Sequence, residues 1–309
     1  MNRLKRIVSH PIVRAAYFTL LVAVAAYYLY RWGDRLPASL SQVQLGWAVA
    51  ALGVTILATL LYSFIQYTIY RRLGTSVGYW TTFRIVTIAQ LGKYLPGKVM
   101  YVGNYYLLSR EAGISNLQVG MSFVISQALW LLTASLCGLP VLSLLNPVLR
   151  YSVLVFPLAM ILLLHPRFLD WLLRLGQRLA GRAQGQKLPL PEGLAVRFYL
   201  STALLYLLNW GLAGLATWLC LRAFGPVGFD VFPLALASIA LGTAIGFVAL
   251  FAPVGLGIRE GLGMLILTPT VGGEVALLGL LLLRGITVIV DLSSALLSML
   301  TGTRRQTVE

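Results

Sequence analysis

Eight charged side chains fall in or beside long apolar stretches of the chain: Lys93, Lys98, Arg110, Glu111, Arg259, Glu260, Arg284 and Asp291. Five of them are basic, so together they suit an anion, and the three acids can balance the bases or take up a coupled proton. A charge at the centre of a bilayer costs roughly 2.5–3.5 kcal/mol even on lenient insertion scales, so each of these groups needs a partner or a ligand. Lys93 and Lys98 have no acid nearby in sequence and flank Tyr94-Leu-Pro-Gly97, where free backbone N–H groups and the start of the next helix would favour a negative ligand. Arg110-Glu111 and Arg259-Glu260 are adjacent pairs, equally suited to structural ion pairing. Arg284 and Asp291 lie two helical turns apart on one face, the spacing of an internal polar seam or of a pair that snorkels to the interface; the seam is the expected arrangement.

Two motifs come close to nucleotide chemistry and miss it. Gly92-Lys-Tyr-Leu-Pro-Gly-Lys98-Val99 follows the phosphate-binding loop until its last position, where Val99 cannot ligate magnesium. Gly255-Leu-Gly257 is followed by Glu260 where a dinucleotide fingerprint needs its third glycine, and neither segment sits in a βαβ context. His10 and His165 are far apart, and Cys137 and Cys220 sit in separate apolar runs, so no metal cluster, disulfide framework or nucleophile–base pair is expected. The expectation is a protein without cofactor or metal that is not an enzyme.

The elements that must position these charges are membrane helices. The 309 residues are 59% hydrophobic and only 11% charged, with a mean hydropathy of +0.84, well beyond a soluble domain. Nearly charge-free runs at about Ala15 to Tyr30, Gly46 to Tyr70, Leu117 to Leu145, Tyr151 to Leu164, Ala195 to Phe224, Phe232 to Phe251 and Glu274 to Leu300 approach the roughly 20 residues that cross a bilayer. The predicted fold is an all-α polytopic bundle forming one domain over residues 1–309, with about eight membrane segments.

The net charge of +15 is a topology signal, not a nucleic-acid footprint, because the basic residues gather at the ends of apolar runs. Arg3, Lys5, Arg6 and Arg14 precede the first run, Arg71 and Arg72 follow the second, and Arg304 and Arg305 close the chain, which predicts cytoplasmic termini. The first run resembles a signal peptide but lacks a small-residue cleavage site before Trp32-Gly-Asp-Arg35, so a retained anchor is expected. Between Pro166 and Arg182 an apolar stripe with Phe168 and Trp171 alternates with Arg174, Arg178 and Arg182, predicting a helix along the cytoplasmic surface.

Two apolar stretches are broken, at Pro96-Gly97 and at Pro253-Val-Gly255-Leu-Gly257, before a helix that carries an Arg-Glu pair. Irregular backbone at membrane depth is tolerated only where it is buried in protein or lines a watered cavity, so the first reads as a re-entrant or interfacial hairpin, and the two segments are either re-entrant or crossing. Paired Pro/Gly-interrupted segments in two halves of a transporter point to its binding site. The breaks should therefore meet, bringing Lys93, Lys98, Arg110 and Arg259 into one cavity, with Glu111, Glu260, Arg284 or Asp291 completing the charge network.

Gln90-Leu-Gly-Lys-Tyr-Leu-Pro-Gly-Lys98, Pro253-Val-Gly-Leu-Gly-Ile-Arg-Glu260 and Arg284 in the last span resemble the lysylphosphatidylglycerol synthase transmembrane family, also called flippase-like membrane proteins. The resemblance extends over almost the whole chain. It implies the membrane part of such a synthase, which moves aminoacylated phosphatidylglycerol between leaflets, without the soluble domain that makes that lipid. Other relatives are associated with lipid-linked sugars or hopanoid pathways, so the resemblance leaves the lipid open. The expectation is a flippase, scramblase or transporter of an anionic phospholipid or polyprenyl phosphate in the cell membrane, with membrane lipids as its partners. The alternatives are an intramembrane lipid-modifying transferase and a non-transporting partner of a lipid-biosynthesis enzyme.

Overall fold

The computed structural model describes residues 43–94, 99–144, 147–164, 168, 171, 196–248 and 258–301. These hold nine α-helices and no strand: α1 (Leu45–Arg72), α2 (Tyr79–Leu91), α3 (Val99–Glu111), α4 (Asn116–Cys137), α5 (Pro147–Leu164), α6 (Val196–Arg222), α7 (Phe232–Val248), α8 (Ile258–Val271) and α9 (Gly273–Thr301). The expected first span, the surface helix apart from Phe168 and Trp171, and both termini lie outside the described residues.

Among the described residues five helical segments are long and apolar enough to cross a membrane: α1, α4, α6, α9 and the stretch Phe229–Phe247 that contains most of α7. By contrast α2 and α3 have 13 residues each and α8 has 14. At 1.5 Å per residue these reach about 20 Å, short of the roughly 30 Å hydrocarbon core. The outer surface is apolar, as lipid requires. Leu200, Leu204 and Leu208 form a stripe along α6 at one-turn spacing and are 61%, 66% and 55% exposed.

Local sequence sets the helix ends. α1 stops at Gly74, whose φ of 77° lets Thr75 N–H reach the Tyr70 carbonyl (3.1 Å) and Gly74 N–H reach that of Arg71 (3.1 Å). Gly113 closes α3 in the same way, and Ser115 then opens α4 with a reciprocal cap between its side chain and Gln118. The apolar run expected to be one span from Leu117 to Leu145 is two elements, because α4 ends at Cys137 and a 3-10 turn covers Leu139–Leu144. Pro140 has no N–H to continue the α-helical ladder.

Polar groups inside the bundle pair with one another. Gln66 Nε2 donates to Tyr105 Oη at 2.5 Å, Tyr105 and Ser122 share a bond of 2.9 Å, and Tyr70 and Ser109 share one of 2.8 Å. These ties run from α1 through α3 to α4 and are buried, so they fix the short α3 where apolar contact alone would let it slide.

Candidate functional site

Each broken segment is built as two helices folded together. Only residues 95–98 separate α3 from the 3-10 turn Gly92–Tyr94 that ends α2. A Cβ on Gly92 would fall against the backbone of Met100 and Tyr101, so glycine is what lets α3 return so close. The second pair repeats the device: a Cβ on Gly242 of α7 would lie 3.0 Å from the Arg259 carbonyl oxygen and 3.2 Å from its Cα on α8. The breaks themselves, with Pro96, Gly97, Lys98, Pro253, Gly255 and Gly257, lie outside the described residues. Their flanks do not.

Helix α9 packs against both α2 and α8 and carries a charge toward each. Asp291 accepts from Lys93 Nζ (2.6 Å) and from Tyr94 Oη (2.5 Å), both in the turn after α2. Two turns earlier, Arg284 donates to Glu260 of α8 at 3.4 Å, a long and loose contact. The two-turn spacing thus makes a seam that joins the flanks of both breaks.

The seam opens on a cavity of about 270 Å³ at the centre of the bundle, whose charged lining is Lys93, Arg259, Arg284 and Asp291. Across it the lining is neutral. Thr55 and Thr59 donate to carbonyls one turn back (2.7 and 3.0 Å), Asn209 Nδ2 donates to Ala58 O (2.7 Å), and Trp130 and Trp210 have ring centroids 5.1 Å apart. Three cations face one carboxylate in the lining, and Glu260 beside it leaves one net positive charge. Among the described residues no hydrogen bond or ion pair within 4.0 Å reaches the half-buried Arg259 guanidinium.

The first expected pair behaves differently from the second. Arg110 is not in the cavity lining; its Nη1 donates to the Ile114 carbonyl at 2.6 Å, and Glu111 is exposed at the end of α3. Arg110 occupies the last turn of its helix, where orphan carbonyls and the negative dipole end hold a cation. Arg259 occupies the first turn of α8, where neither exists. The expected convergence of Arg110 and Glu111 on the cavity is therefore corrected: the structure assigns them to the α3–α4 turn.

Sequence spacing did not single out Tyr94, Gln90, Asn209, Trp130 or Trp210, which also line the cavity. Asn209 carried a usable signal, since an amide inside a 27-residue apolar helix demands an interior partner.

The Lys93–Asp291 pair makes a first prediction. Removing one partner of a mostly buried pair leaves an uncompensated charge, so Lys93→Met and Asp291→Asn are each expected to cost about 2–3 kcal/mol. The double variant should lose less than their sum, by a coupling of about 1–2 kcal/mol, in thermal unfolding of the purified protein. Additive losses would mean the two groups do not support each other.

Comparison with curated proteins found no match to the chain. The match comes from a family model, which describes the lysylphosphatidylglycerol synthase TM region and covers residues 12–294, so the chain belongs to that family of integral membrane proteins.

Proposed function

We propose that this protein moves an anionic, phosphate-bearing lipid between the leaflets of the cell membrane. The observation that carries the reading is Arg259, which makes no ion pair within 4.0 Å among the described residues and faces a cavity that also holds Lys93 and Arg284. A half-buried guanidinium on a cavity wall, with no hydrogen bond or ion pair of its own within 4.0 Å among the described residues, offers its planar fork to an anion that docks there. About 270 Å³ sits just below the usual range of small-molecule pockets, roughly 300–1,000 Å³, which suits a head group and leaves acyl chains in the surrounding lipid. Val99 in place of the magnesium-binding hydroxyl argues against ATP as a driving force, so movement is passive or ion-coupled. In this reading the basic chain ends face the cytoplasm.

A leaflet-exchange assay in liposomes tests it. Fluorescent phosphatidylglycerol should exchange at least about tenfold faster than fluorescent phosphatidylcholine, the ratio that 1.4 kcal/mol of preferential binding gives. Equal acceleration of both lipids would remove the anion from the proposal. No acceleration over protein-free vesicles would remove transport.

A further inference from the structure

Asp291 is the one carboxylate in the described cavity lining, and its position relative to Lys93 allows something that a fixed ion pair does not. Lys93 Nζ lies 2.6 Å from Asp291 Oδ2 and also borders the cavity. Its ammonium is a point charge on a flexible stem, whereas the guanidinium of Arg259 is a planar fork set on a helix held against Gly242. An anion that enters meets the unpaired Arg259 first and then competes with Asp291 for Lys93.

We infer that binding of the anionic head group exchanges the partner of Lys93 and hands a proton from water to the Asp291 carboxylate, so that each lipid is carried with one proton. This rests on the anionic-lipid reading above and adds its coupling ion. The balance is simple. The lipid phosphodiester keeps its negative charge and pairs with the Lys93 ammonium and the Arg259 guanidinium. The carboxylate, left with Tyr94 Oη as its only described hydrogen-bond donor, gains a proton from bulk water and becomes a neutral acid. No covalent bond other than O–H forms, and release of the lipid returns the proton. Lipid and proton cancel, so the filled and empty cavities carry the same charge.

The other groups facing Asp291 do not supply this exchange. Lys93 and Tyr94 reach it from the turn, Arg259 and Glu260 stand on α8, and Arg284 lies on α9 itself beside Glu260. The titratable groups that α1 and α3 bring to the cavity lining are the phenols of Tyr62 and Tyr101, and α6 brings none. Glu260 is the one competing acid, and the test addresses it directly.

The experiment uses the full chain in detergent with short-chain phosphatidylglycerol as the probe, in weakly buffered solution containing a pH indicator. Wild type should take up about one proton per lipid bound, and its affinity should fall by about tenfold per pH unit where the free carboxylate is ionised and the lipid-bound one is not. The sign follows from the lipid-bound state holding the extra proton: affinity is high at low pH and is lost as pH rises. Asp291→Asn, which imitates the neutral acid, should bind more tightly than wild type near neutral pH, with a flat pH profile and no proton uptake. Binding by wild type without proton uptake overturns the coupling while leaving the anion site standing. A pH slope kept in Asp291→Asn and lost in Glu260→Gln moves the proton to the other acid and overturns the assignment. Failure of wild type to bind phosphatidylglycerol at all overturns both the coupling and the anionic-lipid reading.

Discussion

Arg259→Glu is expected to reduce anionic-lipid exchange to the rate of protein-free liposomes. The substitution turns the net positive cavity negative and places a carboxylate where the phosphate would dock. Loss of a buried charge-assisted contact costs about 2–5 kcal/mol, a factor of about thirty to several thousand in affinity, and repulsion adds to it. The informative companion is Arg259→Gln. The Arg259 side chain makes no hydrogen bond and no ion pair within 4.0 Å among the described residues, and α8 packs on α7 through its backbone at Gly242, so neutralising it removes no close contact. Arg259→Gln should therefore keep or raise the unfolding temperature while losing exchange. Lys93→Met, which orphans Asp291, should lower it. An Arg259→Gln protein that unfolds early would make the arginine a structural element, and normal exchange by Arg259→Glu would remove it from the site.

That contrast also marks where sequence pattern informs and where it stops. The long helices were legible because twenty apolar residues without charge have few other uses, and the bounds of α1 and α9 fall within two residues of the apolar runs. The seam on α9 was legible because two turns of a helix return a side chain to the same face, and Arg284 and Asp291 pair with residues that flank different breaks. The two Arg-Glu pairs looked alike because a dipeptide does not say which end of a helix it occupies. Gly113 and the Ser115–Gln118 cap place Arg110 at a C-terminus, and those residues hold the answer for anyone reading the turn before the charges. Lys93 has no acid near it in sequence because its partner, Asp291, is far along the chain, at a separation of 197 positions from the neighbouring Tyr94. The neutral wall of the cavity was not legible. In a helix apolar all round, periodicity cannot say which side of Trp130 or Trp210 faces inward, and only packing decides it.

Gly92→Ala is expected to be the most damaging single-methyl change in the bundle. In α2 and its turn the glycine needs no unusual dihedral, since its φ is −61° and its ψ −19°, values that alanine adopts readily. Local propensity alone would make the substitution neutral or favourable by up to about 1 kcal/mol. Packing reverses the sign, because the added methyl would lie 2.5 Å from Tyr101 Cα and 2.6 Å from Met100 C, and these are backbone atoms that no rotamer change can move. Overpacking of a tight core costs about 1–3 kcal/mol, and relief here requires α3 to shift bodily against the Gln66–Tyr105–Ser122 ties, so a loss at or above the top of that range is expected. Gly103→Ala, inside α3, is the control: nothing lies within 4 Å of its Cβ position, and it should stabilise by about 0.5–1 kcal/mol. Gly242→Ala should fall between them, since its nearest neighbour is 3.0 Å away. Thermal unfolding in detergent ranks the three. Exchange in liposomes should follow for Gly92→Ala even at temperatures where the protein stays folded, because the displaced turn carries Lys93 and Tyr94 away from Asp291. If Gly92→Ala unfolds and exchanges like Gly103→Ala, the close return of α3 onto α2 is not what holds that turn in place.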